Sequence, residues 1–141
     1  MKLETQYHGI IEYNENNVIT LVKGMSGFEN LKKFILVGIE SNEVFSLFHS
    51  MEDTEVAFIV ASPFYVKADY EVNLSDELVK ELQINDEKDV LIVNTVNLSK
   101  DIKKMTTNLG APIIININKR LGKQIIISDD EKMIKYPMIH G

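Results

Sequence analysis

The chain has 141 residues, 45% of them hydrophobic and 26% charged, a composition typical of one soluble globular domain with a single core. It contains no cysteine, which excludes disulfides, thiolate metal sites and cysteine nucleophiles. The formal net charge of −6 opposes non-specific binding to nucleic acid or to an anionic membrane, and no apolar run resembles a signal segment or a membrane span. We therefore expect a cytoplasmic protein.

Short runs of β-forming residues recur between turn residues along the chain and predict strands in a mainly antiparallel sheet or barrel. The predicted strands are 7–13, 17–22, 33–39, 44–51, 56–61, 69–74, 89–96, 112–118 and 123–128. In the stretch 113–118 the odd positions are uniformly apolar, whereas the even positions become polar towards the end. This alternation predicts that one face of that strand points inward.

Helical patterns are few and short. The clearest runs from Ser75 to about Gln83, where Ser75 can cap the first turn, acidic residues follow it, and leucine and valine residues share one side. A further turn of helix is predicted within 99–105, and another within 27–34, where three apolar residues are spaced to share a face.

Charge is distributed unevenly along the sequence. Segment 69–89 contains eight acidic and two basic residues, which equals the whole net charge, whereas segment 100–123 contains six basic residues and only Asp101. An acidic surface suits a basic protein partner, because complementary potentials speed encounter and disfavour other partners. The simpler interpretation is a solvated face that keeps the protein in solution.

The cluster Lys119–Lys123 lies between two predicted strands and indicates a hairpin tip, with Gly122 expected to supply the positive φ of the loop. Exposed charges at such a tip protect a sheet edge from pairing with other molecules. The alternative is a nucleic-acid contact. Residues 100–123 contain no aromatic side chain on which bases could stack, which disfavours direct binding of RNA by this cluster.

No motif indicates catalysis, a metal or a cofactor. His8, His49 and His140 do not have the spacing of metal ligands, although His8 and His49 both lie in predicted strands and could be neighbours in space. Residues 129–131 lack the ligand spacing of a calcium loop and are expected to form a solvated turn. The glycine pair within 24–27 lacks a phosphate-loop lysine and is expected to form a tight turn. A hydrolytic site around the first two histidines remains an alternative.

Six motifs stand in order across almost the whole chain. They are MKLETQYHG at 1–9, GMSGFENLKKFIL at 24–36, MEDTEVAFIVASPF at 51–64, DVLIVNTV at 89–96, NLGAPIIIN at 108–116 and YPMIH at 136–140. Together they resemble the flagellar assembly factor FliW family. The most specific of these motifs is NLGAPIIIN.

The resemblance implies a small β-barrel-like domain over residues 1–141, with one to three short helices, that is not an enzyme and has no cofactor. It also implies binding to flagellin and to the RNA-binding translational regulator CsrA. In the family, the factor binds CsrA outside its RNA-binding surface and so relieves repression of flagellin translation allosterically, while free flagellin competes for the factor. We expect no direct nucleic-acid or membrane contact, and a monomer when the chain is free.

The chain departs from the family pattern at several positions. The family commonly has Phe-Pro at Leu21-Val22, proline at Ser26, Asp-Pro at Asp53-Thr54 and at Ser62-Pro63, and arginine at Ile139. Loss of a proline from a turn costs a few tenths to about 1 kcal/mol through the unfolded chain, which the fold tolerates. The change at Ile139 puts an apolar side chain in place of a cation.

Aromatic and acidic residues together are typical of anchors at protein interfaces, and they suggest which side chains touch a partner. The first candidate group is the loop 62–71, with Phe64, Tyr65, Asp69, Tyr70 and Glu71. The alternative is that two of its aromatic side chains fill the core. The second candidate group is Phe28 and Glu29.

Overall fold

The computed structural model describes residues 1–139, so His140 lies outside the described residues. Within them are the strands β1 (Lys2–Glu4), β2 (Ile10–Glu12), β3 (Val18–Leu21), β4 (Lys33–Ile39), β5 (Asn42–Ser50), β6 (Ala57–Ala61), β7 (Val90–Asn97), β8 (Thr106–Thr107), β9 (Ile113–Asn116), β10 (Leu121–Gln124) and β11 (Tyr136–Pro137). The helices are α1 (Asp76–Glu81), α2 (Glu131–Ile134) and the 3-10 turns Glu15–Asn17, Pro63–Tyr65, Glu87–Asp89 and Ile102–Lys104. None of the helices in this described part has the length and apolar character needed to cross a bilayer.

Seven strands close into a barrel in the order β7-β6-β5-β4-β3-β10-β9, because β9 returns to pair with β7. All of these pairs are antiparallel except β3 with β10. Strands β8 and β11 extend the sheet beyond β7, and β1 and β2 form a separate hairpin. The prediction of a small, mainly antiparallel β-barrel with few short helices is therefore confirmed.

The interior of the barrel is filled by aromatic and branched side chains. Phe34 and Phe48 stack with ring centroids 4.6 Å apart, and both are fully buried. Ile113 and Ile115 project into the same cluster from β9. Burial of large apolar side chains at this density contributes roughly 1.5–3 kcal/mol each to folding.

Strand β9 is buried on both faces, unlike the one-sided strand that its alternation predicts. Ile113 and Ile115 point into the barrel, whereas Ile114 packs beneath α1 with Leu78 and Leu82. Asn116 is also buried, and Ile117, which continues the apolar odd positions, is 51% exposed because the strand has already ended. A helix covering the outer face of the barrel explains the difference.

Most predicted strands are present, but two strand predictions and one helix prediction are wrong. Segment 69–74 joins no sheet, and the predicted strand 123–128 begins two residues earlier and ends at Gln124. Segment 27–34 forms turns and then enters β4, so Phe34 packs inside the barrel and not on a helix. The glycine turn that precedes it is confirmed, with φ of 70° at Gly24 and 83° at Gly27.

The hairpin at Lys119–Lys123 is present, but its positive φ belongs to Arg120, with φ 59°, and not to Gly122. Gly122 lies within β10, where an added Cβ would be 3.0 Å from Leu21 Cδ2 and 3.3 Å from the carbonyl oxygen of Ile114. A side chain at this position would press against the neighbouring strands, so close packing, and not the conformation of the loop, accounts for the glycine.

The substitution Gly110→Ala should destabilise the fold by about 2 kcal/mol or more, because the added Cβ would clash with the backbone carbonyl of Ser128. Gly38→Ala is the matched control, since a Cβ at that position meets nothing within 4 Å. Urea denaturation monitored by circular dichroism measures both variants. Equal midpoints for the two variants would contradict this packing account.

Candidate functional site

The acidic part of the chain is organised around α1. The Ser75 hydroxyl accepts a 3.1 Å hydrogen bond from the backbone N–H of Leu78, and it caps the helix as the sequence predicts. Asp76 and Glu77 are exposed in the first turn, where the helix dipole stabilises negative charge. The helix thus presents carboxylates to solvent while its leucines pack against the barrel.

Asn116 fixes the end of α1 to the barrel. Its side-chain nitrogen donates to the carbonyl oxygens of Leu82 at 2.9 Å and Gln83 at 3.0 Å. Its side-chain oxygen accepts from the backbone N–H groups of Asn118 at 3.0 Å and Lys119 at 3.2 Å. Since one buried side chain satisfies two carbonyls of the helix end and two amides of the hairpin, the two elements hold a fixed relative position.

An apolar groove of about 750 Å³ runs beside α1, between segment 72–74 and the first half of β7. Its apolar walls come from Phe64, Val72, Leu74, Val79, Ile84, Val90, Leu91 and Ile92. The charged residues that line it are both acidic, Asp86 and Glu87. The groove therefore combines apolar surface with a negative rim, a composition that suits an apolar ligand carrying positive charge.

The three aromatic residues of the loop 62–71 lie in different environments. Phe64 is 46% exposed and lines the groove, and Tyr65 is 62% exposed. Tyr70 is only 4% exposed, and its hydroxyl donates a 2.6 Å hydrogen bond to the carbonyl oxygen of Leu109. Burial raises the pKa of the Tyr70 phenol. Tyr70 is thus a core residue that supports Phe64 from below, with ring centroids 6.0 Å apart, and it is not a surface contact in this conformation.

The acidic candidates of this loop are both exposed. The Lys67 ammonium donates a 2.9 Å hydrogen bond to the carboxylate of Asp69, which lowers the pKa of that carboxyl. Glu71 immediately precedes the segment that borders the groove. Phe64 thus lines the groove, and Glu71 is adjacent in sequence to a residue that lines it. The charge of Asp69 is partly neutralised by Lys67.

The second candidate pair lies elsewhere on the barrel. Phe28 is 40% exposed and packs edge-to-face against Phe58, with ring centroids 5.7 Å apart. Glu29 accepts a 3.3 Å hydrogen bond from the backbone N–H of Gly27, which stabilises its own turn. Because neither residue lines the groove, the structure does not bring the two candidate groups into one site.

Two of the basic residues at the hairpin tip are held by carboxylates. Lys123 forms a 2.8 Å ion pair with Glu81 on α1, and both side chains are largely shielded, with 20% and 29% of their surface exposed. Arg120 lies 3.7 Å from the carboxylate of Glu15. Pairing with carboxylates reduces the positive potential that a phosphate backbone would meet at this tip.

His8 and His49 are neighbours in space, with ring centroids 5.7 Å apart and ring planes nearly perpendicular. His49 is buried, and its Nδ1 lies 2.8 Å from the carbonyl oxygen of Ser50. Across residues 1–139 no group of three or more His, Asp or Glu residues is arranged to hold a metal. Near residues 129–131, Asp130 caps α2 through a 3.0 Å bond from the N–H of Lys132.

Sequence reasoning missed most of the groove. Val79 belongs to the predicted helix and Ile84 follows its predicted end, while Val90 and Ile92 belong to a predicted strand. The sequence pattern therefore suggests ordinary core residues at these positions. The available signal was segment 69–74, whose alternating pattern predicts a strand that has no partner in the structure. Segment 69–74 also lies among acidic residues, so it is the feature of the sequence that could have indicated the groove.

The substitution Asn116→Ala should destabilise the protein by about 3 kcal/mol, because it leaves the buried carbonyl of Leu82 and three partly buried backbone groups without partners. Asn118→Ala, on the exposed turn, is the control and should change stability by less than about 0.5 kcal/mol. Urea denaturation monitored by far-ultraviolet circular dichroism gives both values. Similar losses in the two variants would show that the four hydrogen bonds do not hold the helix end.

Comparison with known proteins places the chain in a family. A family model described as "FliW protein" matches residues 2–138. A flagellar assembly factor FliW of Clostridium acetobutylicum is 91% identical over 141 residues, with both chains fully covered, and one of Clostridium novyi is 53% identical over 98% of this chain and 96% of the relative. A crystal structure of the flagellar assembly factor FliW superposes with a TM-score of 0.89 at 33% identity, covering 100% of this chain and 99% of the other. The chain belongs to the FliW family of flagellar assembly factors.

Proposed function

We propose that this chain binds flagellin and the translational regulator CsrA, and that it antagonises CsrA allosterically to relieve repression of flagellin translation. Family membership supports the flagellar role, which the relatives carry in their names. The observation that carries the partner assignment is the acidic surface around α1. Its carboxylates stand beside exposed apolar side chains, and that combination fits a basic protein partner.

The proposed mechanism is binding without catalysis. The acidic surface contacts CsrA away from the RNA-binding surface of CsrA, and the contact favours a CsrA conformation with lower affinity for RNA. Flagellin competes for the factor, so secretion of flagellin frees it to bind CsrA again. A protein that acts on a translational regulator works in the cytoplasm, and we propose that the free chain is a monomer there.

Simultaneous charge reversal, Asp69→Lys with Glu71→Lys, should weaken binding to purified CsrA about tenfold at low salt and less at high salt. Both side chains are exposed, so the substitutions reverse the surface charge without disturbing the core. Isothermal titration calorimetry at two salt concentrations measures the effect.

The matched control is Glu40→Lys with Glu43→Lys, which makes the same change in net charge at exposed positions near the turn between β4 and β5. The control should retain the wild-type affinity for CsrA. Unchanged affinity in the Asp69 and Glu71 variant, or equal losses in both variants, would contradict a localised acidic contact surface.

The protein alone should not bind the leader RNA of flagellin mRNA, because Arg120 and Lys123 at the hairpin tip are paired with Glu15 and Glu81. In a gel-shift assay, CsrA should retard the RNA, and adding the protein should restore the free RNA. A shift by the protein alone that is lost in Lys119→Glu would instead support the RNA-binding alternative.

A further inference from the structure

Segment 71–74 has the side-chain pattern of a β-strand but lies outside every sheet. Burial alternates along it, with Val72 and Leu74 packed against the hydrophobic clusters and Glu71 and Asn73 exposed. Such alternation is the signature of an extended chain with one face on the core. The segment therefore has the burial pattern of a strand but no neighbouring strand.

The backbone of this segment lacks hydrogen-bond partners. Across residues 1–139, the N–H and C=O groups of residues 71–74 make no hydrogen bond to the protein. Four consecutive residues with unpaired backbone groups are uncommon in a folded domain unless water or another chain satisfies them. An exposed strand of this kind is a template for pairing with a second polypeptide.

Strand β7 presents a second open edge to the same groove. It pairs with β9 through Val90–Val93, but with β6 only at Asn94 and Thr95. The N–H of Ile117 donates to the carbonyl oxygen of Asp89 at 2.9 Å. This bond shows that the backbone groups of Asp89 are directed towards the chain of β9. Because backbone groups of successive residues point to opposite edges, those of Val90 and Ile92 point away from β9.

The neighbouring chain does not satisfy this edge. Strand β6 ends at Ala61, and the residue that would stand opposite Ile92 is Pro63, which has no N–H to donate. The N–H of Val90 bonds to Glu87 within its own turn. The carbonyl of Val90 and both backbone groups of Ile92 are left directed towards the groove.

We propose that the groove binds an extended segment of a partner polypeptide, in which apolar and basic residues alternate, by adding a strand beside β7 and segment 71–74. The apolar side chains of the segment face Phe64, Val79 and Ile84, and its Lys or Arg side chains face Asp86 and Glu87. This inference deepens the proposed function and rests on it, because it specifies how a basic partner is held.

The charges around the groove favour a basic occupant. Both charged lining residues are acidic, and Glu71 and Glu77 lie on the elements that flank it. The basic residues next to the lining in sequence are Lys88, exposed in the same turn as Glu87, and Lys80, exposed on α1 beside Val79. The balance remains negative, so an acidic segment would meet repulsion where a basic one is attracted.

The probe is a labelled eight-residue peptide of alternating Val and Lys, titrated into the full-length protein by fluorescence polarisation. Two N-methylated forms, one at the valine amides and one at the lysine amides, each remove the donors along one edge of the peptide. At least one of them should bind about tenfold more weakly, since it loses two or more backbone hydrogen bonds. A peptide of alternating Val and Glu should bind more weakly than the unmethylated Val-Lys peptide. The substitution Glu87→Lys in the protein should weaken binding of the Val-Lys peptide.

Hydrogen exchange followed by NMR locates the bound peptide. The unmethylated peptide should slow exchange of alternate amides within 71–74 and of the amide of Ile92. Glu43→Lys, an exposed charge reversal in β5, is the control and should leave peptide affinity unchanged. Retained affinity in both N-methylated peptides, or protection confined to other parts of the protein, would overturn the inference.

Parallel titration with intact CsrA separates this inference from the proposed function. CsrA that binds without protecting residues 71–74 or Ile92 would overturn strand addition while leaving the proposed function intact. Protection that rises with protein concentration in the absence of peptide would assign the groove to a second copy of the chain, and would also overturn the inference. Peptide binding with the predicted protection supports strand addition even if CsrA fails to bind.

Discussion

The pairing of β9 with β7 is the constraint on which the rest of the structure depends. It closes seven strands into a barrel and places β9 between two layers, so that Ile113 and Ile115 fill the interior while Ile114 and Asn116 face α1. A strand buried on both faces leaves little freedom for register shifts, because a one-residue slip would exchange the side chains of the two layers. The position of α1, and of the acidic surface that it carries, follows from this closure.

Closure also creates the groove. One edge of β7 is occupied first by β9 and then by β8, whereas β6 reaches its other edge only at Asn94 and Thr95. The chain leaves β6 through the Pro63–Tyr65 turn and returns along segment 71–74. The groove fills the space between this segment and β7. The groove is therefore a gap in the sheet, walled by apolar side chains and bordered by carboxylates.

Much of the fold could be predicted from sequence, because alternation, turn residues and a helix cap are local signals. Ser75 predicts the start of α1, and the strands in 33–61 are close to those observed. Local sequence patterns could not predict the second buried face of β9 or the packing role of Gly122. Both features depend on elements that are distant in sequence. Of the candidate contacts, the exposure of Phe64 and the burial of Tyr70 were equally compatible with the pattern, and only the tertiary structure separates them.

The failure at 69–74 has a physical explanation that bears on function. A sequence specifies strand geometry through side-chain alternation, but a neighbour must supply the backbone hydrogen bonds, and no segment of the described chain does so here. Val72 and Leu74 are held by packing alone, and Glu71 and Asn73 beside them remain exposed. A segment prepared in this way loses little conformational entropy when a partner strand arrives, so the ordering cost of binding falls mainly on the partner.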